Sequence, residues 1–111
     1  MLKSELARLV VGIVGKNQLD AIVFPSVQVL PPTKSDVRAG KHKCLEFPTN
    51  TLIASQTWMP SICVPAGFSE EGVPVGVEIV VLPFHEPDLF RLGSGFEAAL
   101  HVRRAPTYKP N

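Results

Sequence analysis

Residues 60–82 read PSICVPAGFSEEGVPVGVEIVVL, and this stretch decides the fold. Its second half, residues 75–82, is the strongest strand signal in the chain. Val75, Val77, Ile79 and Val81 alternate onto one side, while Val80 and Leu82 fall on the other, so both faces read as largely buried. Glu78 is the single charge in it. Residues 60–65 form a second short strand with proline at each end. Between the two lies a turn-rich link, 66–74, with Ser69-Glu70-Glu71-Gly72 as its exposed tip. Further upstream, Asp20-Ala-Ile-Val-Phe-Pro25 is a third apolar run of β-forming residues, ended by proline.

Helical periodicity surrounds these strands. Residues 2–16 place Leu2, Leu6, Leu9, Ile13, Val10 and Val14 on one amphipathic face, with Gly15 and Asn17 as stop signals. Residues 49–58 predict a short helix capped by Thr49 or Asn50. A last helix is predicted over 86–104: Pro87 suits its first turn, Glu86 and Asp88 its positive end, and Arg103 and Arg104 its negative end. Leu89, Leu92, Phe96 and Leu100 form its apolar stripe. Gly93 and Gly95 within it cost roughly 1 kcal/mol each against alanine, which implies that another backbone approaches there. Residues 26–48 are read as one long loop and 107–111 as an irregular tail. The expected fold class is α/β, a short mixed sheet flanked by helices in a single partial domain over 1–111.

Composition removes several function classes. Lys and Arg number 11 against 10 Asp and Glu, a net charge of +1 that steers neither nucleic acid nor acidic lipid. The uncharged stretch 47–69 has the length of a membrane span, but Pro48, Pro60 and Pro65 interrupt it and it carries polar residues. The apolar run 9–15 has Glu5 before it and no small-residue cleavage site after it, so an amphipathic helix explains it better than a secretory signal. Two cysteines, Cys44 and Cys63, match no metal or redox spacing; one disulfide between them is the alternative to the preferred reading as reduced thiols, which favours a cytoplasmic protein.

Catalytic and ligand motifs are weak. Gly93-Ser94-Gly95 imitates part of a dinucleotide fingerprint, but inside a helix it cannot cradle a pyrophosphate. His42, Cys44, Cys63 and His85 are capable of binding metal, yet only the first two are neighbours, so no metal and no cofactor is expected. Glu97 and His101 read as an ordinary i,i+4 helix pair. The basic scatter 34–43 is offset by Asp36 and Glu46 and reads as a solvated loop.

Residues 20–106 resemble the C-terminal end of the amidase signature family, serine hydrolases that cleave carboxamides. Asp20-Ala-Ile-Val-Phe-Pro is similar to the family strand that ends in a proline-rich loop. Pro60-Ser-Ile-Cys-Val-Pro-Ala-Gly67-Phe68 resembles its "P-a-i-s-v-P-a-G-f" segment, and Gly72-Val-Pro-Val-Gly-Val-Glu-Ile-Val80 its "G-l-P-v-G-l-q-l-i" strand. The helix from Glu86 and the closing Arg104-Ala-Pro106 follow in order. Three departures stand out: Ser55 for the usual asparagine, Trp58 for glycine, and Glu78 where glutamine is common. Tryptophan in place of glycine is expected not to preserve the same tight backbone, so the loop before Pro60 and any pocket it lines should differ.

The resemblance implies the closing elements of a larger α/β/α sandwich. It also implies a mechanism with a nucleophilic serine, a second serine in a cis peptide, a lysine and a glycine-rich oxyanion hole. The chain has no Ser-Ser and no Gly-Gly pair, so no residue here is matched to the family's catalytic roles. Ser55, Trp58 and Ser61 are the candidates for a cleft wall. The expected function is that of an amidase C-terminal part supplying sheet and cleft wall, inactive alone, with the N-terminal amidase portion as partner. The alternative is a non-catalytic module forming a homo-oligomer through an exposed sheet, using the 75–81 face or an edge strand. A small independent enzyme built on Ser61 or Cys63 with His85 is the third reading.

Overall fold

The computed structural model describes residues 3–41, 43 and 46–107. Three strands, β1 (Ile22–Pro25), β2 (Ser61–Phe68) and β3 (Pro74–Val80), form one sheet in the order β1-β3-β2. Both pairings are antiparallel, so among the described residues the sheet is antiparallel rather than mixed. The reason is local. The link after β2 is a tight hairpin turn, with Gly72 N–H donating to Ser69 O at 2.9 Å and Ser69 N–H to Val73 O at 2.9 Å. A turn that short can only join antiparallel neighbours. β1 and β2 run parallel but lie on opposite sides of β3, where they do not pair.

β2 is longer than expected and reaches Phe68 through an irregularity between Pro65 and Gly67. Proline has no N–H to give a ladder, and Gly67, at φ 151, absorbs the register shift. Val80 of β3 faces Ile22 on one side and Ser61 on the other; Glu78 faces Phe24 and Cys63.

Each face of β3 is covered by different helices, as the alternation of apolar residues requires. Val80 joins Val10 and Val14 of α1 (Lys3–Lys16), Ala54 of α3 (Leu52–Thr57) and Met59, with Leu6, Ile22, Phe24 and Leu82 packed against them. On the opposite face Ile79, Val81 and Val64 pack on Leu89 of α4 (Glu86–Leu100), supported by Ile62, Val77, Leu92 and Phe96. Ile79 and Val81 are only 2% exposed and pack with Val77 against α4, so that part of the 75–81 face is not free to pair with a second copy, while Val75 stays 38% exposed. Leu9 and Ile13, expected on the core side of the first helix, are exposed, because α1 reaches the core through Leu6, Val10 and Val14 alone. No helix among the described residues is long and apolar enough to cross a membrane.

Several local expectations change. The loop 26–48 contains a five-residue helix, α2 (Lys34–Arg38), whose N-cap Thr33 accepts from Asp36 N–H at 3.1 Å. Asp36 in turn pairs with Lys41 at 2.6 Å. Thr33-Lys-Ser-Asp36 is a capping box with aspartate in the glutamate position, a legible signal. Thr49 and Asn50 do not cap α3. Thr49 Oγ1 donates to Ser26 O and Asn50 Nδ2 to Pro25 O, so both side chains bind the exit of β1 and leave Thr51 as the helix boundary.

The last helix stops at Leu100, four residues early. His101 turns to φ 50, and its N–H donates to Glu97 O. The Glu97–His101 side-chain pair is therefore replaced by a main-chain bond. Beyond it the tail returns toward β2, where the Arg104 guanidinium lies 3.5 Å from the Phe68 ring centroid. Such an exposed cation–π contact is worth about 0.5–1 kcal/mol.

Among the described residues, side chains rather than backbone are the nearest neighbours of Gly93, and nothing lies close to Gly95. A Cβ on Gly93 would meet the Val64 and Ile62 side chains at ordinary distances of 3.5–3.6 Å, and Gly95 faces open space. Gly95→Ala is accordingly expected to stabilise the chain by about 0.5–1 kcal/mol through helix propensity alone. Urea unfolding checks this, and a loss of stability would mean that something covers Gly95 in solution.

Candidate functional site

The three cleft-wall candidates come together in one open pocket of about 620 Å³ between α3, the start of β2 and the start of α4. Ser55 and Trp58 reach it from α3, and Ser61 opens β2. Proline at position 60 stiffens the link between them. Ser55 Oγ donates to Leu52 O at 3.1 Å, which turns that hydroxyl onto its own helix. The opposite wall is Pro83, Phe84 and Glu86, the approach to α4.

Trp58 is the C-cap of α3 at φ 59, ψ 31. This is the left-handed conformation that glycine adopts without cost, so the tight turn forms despite the tryptophan. The indole is 82% exposed and recovers little burial energy. A non-glycine residue held there costs roughly 1–2 kcal/mol. Trp58→Gly is therefore expected to raise stability by about 0.5–1 kcal/mol, part of the relief being lost to the freer unfolded chain. Thermal melting followed by circular dichroism should show the midpoint rise by several degrees; an unchanged or lower midpoint would mean that the indole is held by a contact. Phe84 repeats the pattern at φ 68 and 94% exposure.

The pocket floor holds Glu78. Alternation along β3 places it on the same face as Val80, beneath α3, and it is only 4% exposed. It makes no hydrogen bond or ion pair with any described residue; the carboxylate looks onto the pocket. The sequence marked Glu78 as the lone charge in an apolar strand but assigned it no role. The fold brings it to Ser55, Trp58 and Ser61.

Beside the pocket, His85 Nδ1 and Arg91 Nη2 each approach Asp88 at 3.2 Å. The His85 hydrogen bond, then that of Arg91, holds the Asp88 carboxyl below its ordinary value. His85 is thus engaged by Asp88, while Cys63 Sγ lies 3.6 Å from Ser26 Oγ. Neither Ser61 nor Cys63 has His85 as its hydrogen-bond partner, and Cys63 is a free thiol. His42 and Cys44 lie outside the described residues, as does the end of the tail.

A family model described as Amidase matches residues 1–90. The chain belongs to the amidase family. Mandelamide hydrolase of Pseudomonas putida is 33% identical over 93 residues, 83% of this chain and 18% of the relative. A glutamyl-tRNA(Gln) amidotransferase component from Rhodopirellula baltica is 34% identical over 91 residues, 80% of this chain and 18% of that one. The native peptide amidase of Stenotrophomonas maltophilia superposes with a TM-score of 0.73 at 27% identity, covering 97% of this chain and 21% of its own. The similarity is to the C-terminal region of amidases, and the chain spans about a fifth of the length of these relatives.

Proposed function

We propose that this chain is the sheet-and-cleft-wall part of a carboxamide hydrolase and that it acts only when joined to the remaining amidase elements. The observation that carries the reading is the surface. The chain exposes 8622 Å², where a compact protein of 12.1 kDa exposes about 6000 Å². Its radius of gyration is 16.5 Å, against about 13 Å for a compact chain of this length. Leu9 and Ile13 on α1, Val23 on β1 and Phe90 on α4 are each more than half exposed, an arrangement suited to contact with further structure. The lack of Ser-Ser and Gly-Gly pairs fits a catalytic serine and oxyanion hole supplied from elsewhere. A cytoplasmic setting belongs to the same reading, in keeping with the reading of Cys44 and Cys63 as reduced thiols.

The test is complementation. The chain alone should release no ammonia from simple carboxamides, and activity should appear when it is mixed with an amidase relative lacking the matching C-terminal segment. Hydrolysis by the chain alone, abolished by Ser61→Ala or Cys63→Ala, would overturn the proposal. The same exposed residues support a second reading, self-association through α1 or an edge strand. Gel filtration at twice the chain mass would favour it.

A further inference from the structure

We propose that the pocket over Glu78 binds an organic cation, an ammonium or guanidinium group. This goes beyond the amidase reading and does not depend on it, since every lining group belongs to this chain. Three features converge. Glu78 is 4% exposed, faces the pocket and has no partner among the described residues. Such a carboxylate can only accept hydrogen bonds, so it selects a donor, and a charged donor most strongly. Glu86 on the rim adds a second negative charge, and no lysine, arginine or histidine lines the pocket to neutralise either. Anions are thereby excluded.

The second feature is aromatic. Trp58 and Phe84 stand at the pocket with 82% and 94% exposure, both on left-handed backbone. Large rings held in strained, solvent-facing positions gain nothing for the core, but ring faces attract cations. Third, the hydroxyls of Thr51 and Ser61 can accept the N–H groups that Glu78 leaves. Glutamine, common at position 78 in the strand this one resembles, both donates and accepts and would suit a neutral group. Glutamate turns the same floor toward a cation.

The cation has two sources, a small amine or a lysine or arginine side chain of another protein segment, and both present the same chemistry. Trp58 is the sole tryptophan and reports directly on occupancy. The full chain would be titrated with benzylammonium, its neutral analogue benzyl alcohol, and the amide of N-acetylarginine, following Trp58 fluorescence. A saturable change is expected with at least one cation, about tenfold or more tighter than with benzyl alcohol. Glu78→Gln should remove most of that preference, and Glu86→Gln, at an exposed rim position, should reduce it by about two- to threefold. Tighter binding of benzylammonium marks a small-molecule site, and tighter binding of the arginine derivative a protein side chain. Absence of a saturable response to both cations, equal binding of benzyl alcohol, or an unchanged preference in Glu78→Gln would each overturn the proposal. Should Glu78→Gln fail to fold, the Glu86→Gln variant and the neutral analogue still decide the matter. None of these failures touches the complementation test.

Discussion

Leu89→Ala is expected to cost about 3 kcal/mol. Leu89 is 4% exposed and sits on Val64, Ile79 and Val81, so truncation removes the contact that fixes α4 on the sheet. Small domains have only about 5–15 kcal/mol of total stability, and one with this much exposed surface belongs near the lower end. The thermal midpoint should fall by on the order of 15 °C, and the variant will be partly unfolded at physiological temperature. Circular dichroism and urea unfolding measure the loss. A change below about 1 kcal/mol would show that α4 is not docked on β3 in solution.

Gly76→Ala should cost about 1–3 kcal/mol although it adds only a methyl group. A Cβ there would lie 2.9 Å from Cys63 Sγ and 3.2 Å from the Val64 carbonyl oxygen. The thiol can rotate away, but the carbonyl moves only if β2 and β3 separate. The double variant Gly76→Ala, Cys63→Ala tests this division, because removing Sγ should recover part of the loss and leave the remainder owed to the carbonyl. Full recovery would mean that the main chain had room after all. This crowding explains the glycine within Gly72-Val-Pro-Val-Gly76 as a requirement of strand packing rather than of a turn.

Much of the architecture was legible because it rests on periodicity. The two faces of β3 followed from Val77, Ile79 and Val81 alternating with Val80 and Leu82, and the helices that cover them followed from their apolar stripes. The prolines at 25 and 60 marked strand limits, while β2 runs on through Pro65 to Phe68. Several of the failures trace to a partner distant in sequence. Thr49 and Asn50 have the chemistry of N-caps, but they bind Ser26 O and Pro25 O, more than twenty residues away. Helix propensity carried the last helix to Arg104, whereas the structure ends it at Leu100 and sets the Arg104 guanidinium over Phe68. The glycines at 93 and 95 suggested a close backbone, while the crowded glycine was Gly76, whose neighbours come from β2.

The candidate site divides in the same way. Ser55, Trp58 and Ser61, proposed cleft-wall residues around Pro60 where the family resemblance departs, are placed by the structure in one pocket. Glu78, Phe84 and Glu86 were not legible as part of it, since only the pairing of β2 with β3 and the return of the chain into α4 bring them opposite.

By itself, the sequence determined the three strands, the first and last helices, the two-sided burial of residues 78–81 and the membership in the amidase family, because alternation and the order of short motifs are written along the chain. Tertiary structure alone decided that β1 joins β3 antiparallel on its other edge, that α4 covers Val77, Ile79 and Val81, that Trp58 takes a glycine conformation, and that a buried carboxylate, unpartnered among the described residues, shares a pocket with two exposed aromatic rings. Those outcomes depend on which distant segments meet within a few ångströms, a matter of strand pairing and packing that no local pattern encodes.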